Sequence, residues 1–433
     1  MPVRDVQPLL VIPPHRSGPG RAAALFAALV FPAFSALPAG AADAAPAAPL
    51  TLEEALETAR RNNPEIRAAG KRRDARRAAI PSRRTWEDPR ISYERMYSGR
   101  EKLLGVSQEI PFPGKLYLKG RIAALDAAVA GQDYLAKELE VRSKVKSAYA
   151  MYFLAVKSID ILEENVELMR RFSKVAESKY SVGKVSQTDV LRAQIELSKM
   201  LNMMVTLNQE KETSQAMLNQ LFNRAPQEPL GPPEEPKIRR FGQSLAQLED
   251  MALAGRPELL GTRAAAERSR KALISGRMEY LPDFMAQVRS RQAEDPAMDG
   301  TSDAMIGMTV PLWFWKQKSM ADTARADRDM AEAELDAAKN MTRFGVKDSL
   351  VKVRTAERLA DLYRTSVIPQ AEQALEVSEA SYRSDRTSFL ELIDVQRTLL
   401  QFRMEHYQHL ADYERWLADL ERLLGRDLGE EKS

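Results

Sequence analysis

Glu391 and Asp394 are spaced i, i+3, so on a helix they share one face and could act together on cations. A plain solvated face is the simpler alternative, because carboxylates near a helix start also gain from its dipole. His406 and His409 have the same spacing, with Glu405 beside them. No further acid or histidine motif completes a metal site there, and a polar helix interface explains the pair better. Met200, Met203 and Met204 cluster among 18 methionines, but methionine commonly fills gaps between helices. No metal site and no cofactor are therefore expected. Cysteine is absent, which removes disulfides, thiolate ligands and thiol nucleophiles, and the only other histidine is His15. The chain has no GxSxG, no P-loop and no HExxH, so nothing points to an enzyme.

The elements that must position these groups are long helices. The 433 residues are 44% apolar and 29% charged, with a mean hydropathy of −0.40 and 20 glycines. That composition favours helix and excludes both disorder and a bundle of membrane-spanning helices. Lys and Arg (64) nearly balance Asp and Glu (61), which argues against a nucleic-acid partner. Arg16 and Arg21 precede an Ala-rich apolar run that ends at Ala39-Gly40-Ala41. Residues 1–41 thus read as a cleavable export signal, and without cysteine no N-terminal lipid anchor is expected.

The body is written twice. Asn63-Pro64-Glu65-Ile66 matches Arg256-Pro257-Glu258-Leu259, Ile110-Pro111-Phe112 matches Val310-Pro311-Leu312, and Tyr180–Lys184 matches Tyr382–Arg386. The repeats span 42–225 and 243–426, joined by a Pro-rich linker over 226–242 and followed by a short tail, 427–433. In each repeat a helix (about 51–85, about 243–279) restarts at a proline, two extended runs follow, and then a long helical stretch. No proline occurs between Gly114 and Ala225, and Val145, Tyr149, Tyr152, Val156, Ile159, Val166 and Met169 recur at three- and four-residue steps. This is coiled-coil periodicity. Pro369 is expected to kink or break the second long helix.

The extended runs lie at about 89–98, 102–112, 282–291 and 303–312, and alternate apolar with polar residues over the length of a barrel strand. Trp86 and Tyr280 precede the first and third runs; Phe112, Trp313 and Trp315 end the second and fourth. In two hairpins these aromatics share one level, as a girdle at a lipid–water boundary would. Two small soluble hairpins remain the alternative. Four strands cannot close a barrel, so in lipid several chains would have to share one.

Export signal, twofold repeat, paired strands and long helices together resemble the TolC-type outer-membrane efflux proteins over about 50–426. The segment Val106-Ser107-Gln108-Glu109-Ile110-Pro111-Phe112-Pro113-Gly114-Lys115 further resembles their heavy-metal cation branch. The resemblance implies a mainly α fold with a small β part. Long antiparallel helices would form an α-barrel, and four strands per chain would contribute to a β-barrel shared by a homotrimer in outer-membrane lipid. It implies a passive exit duct that meets a periplasmic adaptor and an inner-membrane pump, passing heavy-metal cations, or else drugs or polypeptides. The alternative from another class is a soluble periplasmic coiled-coil scaffold.

Two turns follow from the same resemblance. Val182, Gly183, Lys184, Val185 and Ser186, with Asp385, Arg386, Thr387 and Ser388, would contact the adaptor. Gly183 can supply a positive φ and Ser186 can cap the next helix. The second turn departs in having Asp385 where the first has Gly183. Glu391 and Asp394, with Asp189 in the first repeat, would face the axis as a periplasmic gate, a ring selecting for cations.

Overall fold

The computed structural model describes residues 49–96, 101–293 and 301–428; the export signal expected over 1–41 lies outside them. Helices α1 (Leu52–Asn62) and α2 (Pro64–Arg84) lead into strands β1 (Arg90–Met96) and β2 (Glu101–Ile110). Then come α3 (Lys115–Ser181) and α4 (Gln187–Leu221). The same order follows again: α5 (Leu245–Gly255), α6 (Pro257–Met278), β3 (Asp283–Ala293), β4 (Thr301–Thr309), α7 (Phe314–Leu362), α8 (Ile368–Arg383) and α9 (Phe389–Leu424). The molecule is mostly helical with one four-stranded antiparallel sheet.

Local chemistry sets the boundaries. Thr51 and Ser244 open α1 and α5 with reciprocal capping boxes. Pro64 and Pro257 each start a helix at its first turn, where the missing N–H costs nothing. Helix α3 is 67 residues, about 100 Å at 1.5 Å per residue. Pro369 leaves the chain helical, but Tyr363–Val367 just before it form a π-helical turn. Proline cannot donate to the carbonyl four residues back and its ring crowds it, so the strain appears one turn upstream of the proline. Strand β4 stops at Thr309 rather than running to 312, because Pro311 has no N–H for the ladder.

The helices form a row: α2 packs on α3, α3 on α6 and α6 on α7, so α2 and α7 are the outer members. Away from the sheet, α4 and α9 flank α3, and α8 packs on α9. Ile161, Met169, Phe172, Phe389, Leu392 and Ile393 fill the core nearest the turns. Val145, Tyr149 and Tyr152 fill a second with α1 and Leu218, and Val346, Leu350, Tyr413 and Leu420 a third with α5. Within the first, Gln396 donates to Asn165 at 2.9 Å, a buried polar pair linking α9 to α3.

The linker crosses these helices and is held by tyrosine hydroxyls. Glu234 N–H donates to Tyr149 (2.8 Å) and Arg239 N–H to Tyr413 (3.0 Å). Burial raises both phenols well above their usual range. Nearby, buried Lys146 pairs with Glu421 and with Asp427 (3.1 Å), anchoring the start of the C-terminal tail. Burial pushes the neighbouring Glu414 carboxyl up to about 7.

Candidate functional site

Three groups of residues singled out in the sequence are brought to defined places. The first is the pair of turns. After α3, Gly183 takes φ 72° and Lys184 N–H donates to the Lys179 carbonyl at 2.9 Å. After α8, Asp385 takes φ 62° and Arg386 N–H donates to the Ser381 carbonyl at 2.9 Å. The two turns therefore share one backbone, and Asp385 does not break the match: aspartate is among the few residues that tolerate the left-handed region. Ser388 caps α9 by accepting from Glu391 N–H at 3.3 Å. Ser186 stands at the start of α4 but its side chain makes no capping bond, contrary to expectation. Val182, Gly183, Lys184, Ser186, Asp385, Arg386 and Ser388 are exposed; Val185 and Thr387 are half-buried.

Sequence reasoning missed what joins these turns. Lys179 reaches across from α3 to Asp385 (2.5 Å) and to the Tyr382 carbonyl, and lies 4.3 Å from the Tyr382 ring. Lys184 binds the other Asp385 oxygen at 2.9 Å. Hydrogen bonds from the two ammonium groups, Lys179 first, hold the Asp385 carboxyl below the usual carboxylate range. Asp385 is thus both a turn residue and the clasp between the turns. The sequence carries only the hint of two lysines, 179 and 184, at one chain reversal and an aspartate, 385, at its counterpart.

The second group is acidic. Glu391 and Asp394 are both exposed on α9, and Glu391 makes no ion pair among the described residues. Asp394 receives Arg397 Nη1 at 3.2 Å, and Arg397 also binds Glu196 of α4 at 2.7 Å. Glu196 in turn holds Lys199 at 2.8 Å. Its carboxyl is lowered, because these two cations outweigh the opposing effect of burial. Asp189 is half-buried at the start of α4. His406 lies against the Ala360 carbonyl and His409 against the Tyr363 ring, and no group of side chains that could hold a metal occurs among the described residues.

The third group is the sheet, in order β1-β2-β3-β4. Register pairs Ile91 with Val106 and Val106 with Val288, and pairs Gln108 with Ala286 and Ala286 with Ile306. Directly paired residues share a face. One face therefore carries Ile91, Tyr93, Leu104, Val106, Val288, Ile306 and Met308, all exposed, Ile306 by 86%. The other carries charges that pair among themselves: Arg90–Glu109 at 3.8 Å, Arg291–Glu101 at 3.7 Å and Arg289–Asp303 at 4.0 Å. This inverts the soluble pattern: apolar side chains lie bare and charged ones are gathered. The outer edges of β1 and β4 have no strand partner among the described residues. At the end of the sheet where the helices leave, Trp86, Tyr280, Trp313 and Trp315 are exposed and Phe112 half-buried, the rings of Trp313 and Trp315 lying 5.1 Å apart. Buried Lys115 fixes this corner through Asp283 (2.9 Å) and the Leu281 carbonyl (3.1 Å). No helix among the described residues is long and apolar enough to cross a membrane.

A profile of the family described as outer membrane efflux protein matches residues 55–224 and again 248–426. The cobalt-zinc-cadmium resistance protein CzcC of Cupriavidus metallidurans is 22% identical over 397 residues, covering 88% of this chain and 91% of that protein. Among solved structures, a membrane protein from Pseudomonas aeruginosa superposes with a TM-score of 0.78 at 17% identity, covering 88% of this chain and 92% of that one. CusC superposes with a TM-score of 0.75 at 15% identity, covering 87% and 92%. At these identities the structural likenesses speak for the fold.

Proposed function

This chain belongs to the outer membrane efflux protein family, and from that premise we propose that it is the passive exit duct of a tripartite efflux system. The observation that carries the reading is the two-faced sheet, bare and apolar on one side, ion-paired on the other, with both edges open. In lipid an open edge is not tolerated, so three copies would close one twelve-stranded barrel, continued below by the helices. The exposed tryptophans and Tyr280 fit its lower lipid boundary. The scaffold alternative offers no use for so large an exposed apolar face.

The two exposed turns, Val182–Ser186 and Asp385–Ser388, would meet the adaptor, which delivers solute from the inner-membrane pump. Glu391, which carries no ion pair among the described residues, would contribute most of the gate charge; Asp394 is partly offset by Arg397, and Asp189 adds to the ring. Heavy-metal cations are the proposed cargo, supported by the likeness to CzcC along most of both chains.

The test is native mass spectrometry of detergent-extracted protein, followed by metal-tolerance assays of a deletion strain. A trimer, with sensitivity to divalent cations on deletion, is expected. A monomer soluble without detergent would overturn the duct, and unchanged metal tolerance would overturn the cargo.

A further inference from the structure

One cavity gathers charged side chains that have no partner among the described residues. The linker, the start of α1, α3 and the later part of α9 enclose about 420 Å³. Glu414 of α9 lies deepest: it is 6% exposed, yet its carboxyl makes no hydrogen bond or ion pair among the described residues. Lys146 beside it is already committed to Glu421 and Asp427. At the mouth stand Glu53 of α1 and Glu234, Lys237 and Arg239 of the linker. All four are exposed, and none of their side chains is hydrogen-bonded or ion-paired among the described residues. Elsewhere such groups find partners readily: the next residue, Arg240, holds both Glu357 (3.2 Å) and Asp361 (2.6 Å).

We propose that this cavity binds a diamino acid, with one ammonium group on Glu414, the carboxylate on Lys237 and Arg239, and the second ammonium group at Glu53 and Glu234. A buried carboxylate left alone is costly and calls for a charge partner. No group of side chains that could hold a metal occurs among the described residues, so the cation that suits Glu414 is an organic ammonium, which brings its own hydrogen bonds to a single carboxylate. A plain diamine would meet Lys237 and Arg239 at the mouth. A carboxylate or phosphate alone would leave Glu414 unmatched. A ligand of both signs, amine innermost, matches the depth and the mouth together. The volume lies within the roughly 300–1,000 Å³ of small-molecule sites, and Leu52 and Pro236 offer apolar surface to the alkyl stalk of such a ligand. The mouth is held in place beforehand, because the Tyr149 hydroxyl accepts from Glu234 N–H at 2.8 Å and donates to the Leu50 carbonyl at 2.8 Å. The site is complete within one chain and needs no second copy.

The test is titration calorimetry of the detergent-extracted protein with L-lysine, with cadaverine (the same chain without its carboxylate) and with hexanoate (the carboxylate without amines). Lysine should bind saturably, and the other two many-fold more weakly. Glu414→Gln removes the charge and keeps the shape; it should abolish lysine binding with an unchanged native mass. Lys237→Ala/Arg239→Ala, at exposed positions, should weaken binding several-fold. Burial pushes the Glu414 carboxyl up to about 7 against the pull of Arg239 and Lys146, so binding should tighten several-fold from pH 6 to pH 8 as that proton leaves. The other groups facing it are Tyr149 of α3 and Tyr413 and Glu421 of α9. A tripeptide ending in lysine that binds as well as the free amino acid would identify the ligand as a peptide end; binding of free lysine alone would identify it as an amino acid. No saturable binding of lysine, or equal binding of cadaverine, overturns the proposal. Lysine binding that survives Glu414→Gln overturns this site.

Discussion

At the scale of single residues, Asp385 has two tasks, a left-handed turn and a double ion pair. Asp385→Ala should therefore free the two turns from each other, read as faster amide exchange at 182–186 and 384–388 with an unchanged native mass. Because its carboxyl is lowered in the fold, the clasp is complete above the ordinary carboxylate range and is lost as pH falls through the lowered value. Gly183 is different: a Cβ there meets nothing within 4 Å, so a side chain costs only the strain of positive φ. Gly183→Trp should leave assembly intact and abolish metal tolerance if the turn is an adaptor contact; normal tolerance would count against that contact. Glu414 gives a pH prediction of opposite sign. Its carboxyl is raised from 4.5 to about 7, so between those values the folded chain holds a proton that the unfolded chain has lost. Stability therefore falls as pH rises through that window, by on the order of 3 kcal/mol. Glu414→Gln should raise Tm at pH 8 and flatten its pH dependence; an unchanged profile would assign the effect to another group.

At the scale of elements, the helices show why periodicity reads well and side-chain pairing does not. The three- and four-residue rhythm of Val145 to Met169 places those residues on the packed side of α3, because one face of a long amphipathic helix must be buried. The same rhythm says nothing about Gln396 meeting Asn165 across two helices. Gln396→Leu should cost about 1–3 kcal/mol by leaving buried Asn165 without its partner, read by thermal unfolding in detergent. In the sheet the two faces should respond oppositely. Ile306→Arg on the apolar face should cost about 2–4 kcal/mol in lipid and lower the yield of folded protein in outer membranes. Gln287→Lys on the ion-paired face should be tolerated; equal losses from both would remove the assignment of faces.

At the scale of the whole molecule, the row of helices and the sheet end in matching open edges, and the proposed duct exists only when copies close them. In such a ring gate selectivity would be a property of the assembly, since one Glu391 would become three. Glu391→Gln/Asp394→Asn should shift the reversal potential of reconstituted channels toward zero under a salt gradient, and an unshifted potential would sink the gate. Glu391→Gln alone should account for most of the shift, because Arg397 already offsets Asp394.

Local and periodic features are legible along the chain. Prolines at 64 and 257 start helices, Gly183 turns the chain, and alternation in 282–291 and 303–312 makes two-sided strands, because each depends only on neighbours along the chain. What depends on contacts between distant parts of the chain emerges only in the folded molecule. Lys179 finds Asp385, Arg397 finds Glu196, and β2 pairs with β3 across the two halves, joining four strands into one sheet. Ion pairs between helices have no sequence period. They arise only once packing fixes which faces meet, and the same packing leaves the outer faces of α2 and α7 uncovered.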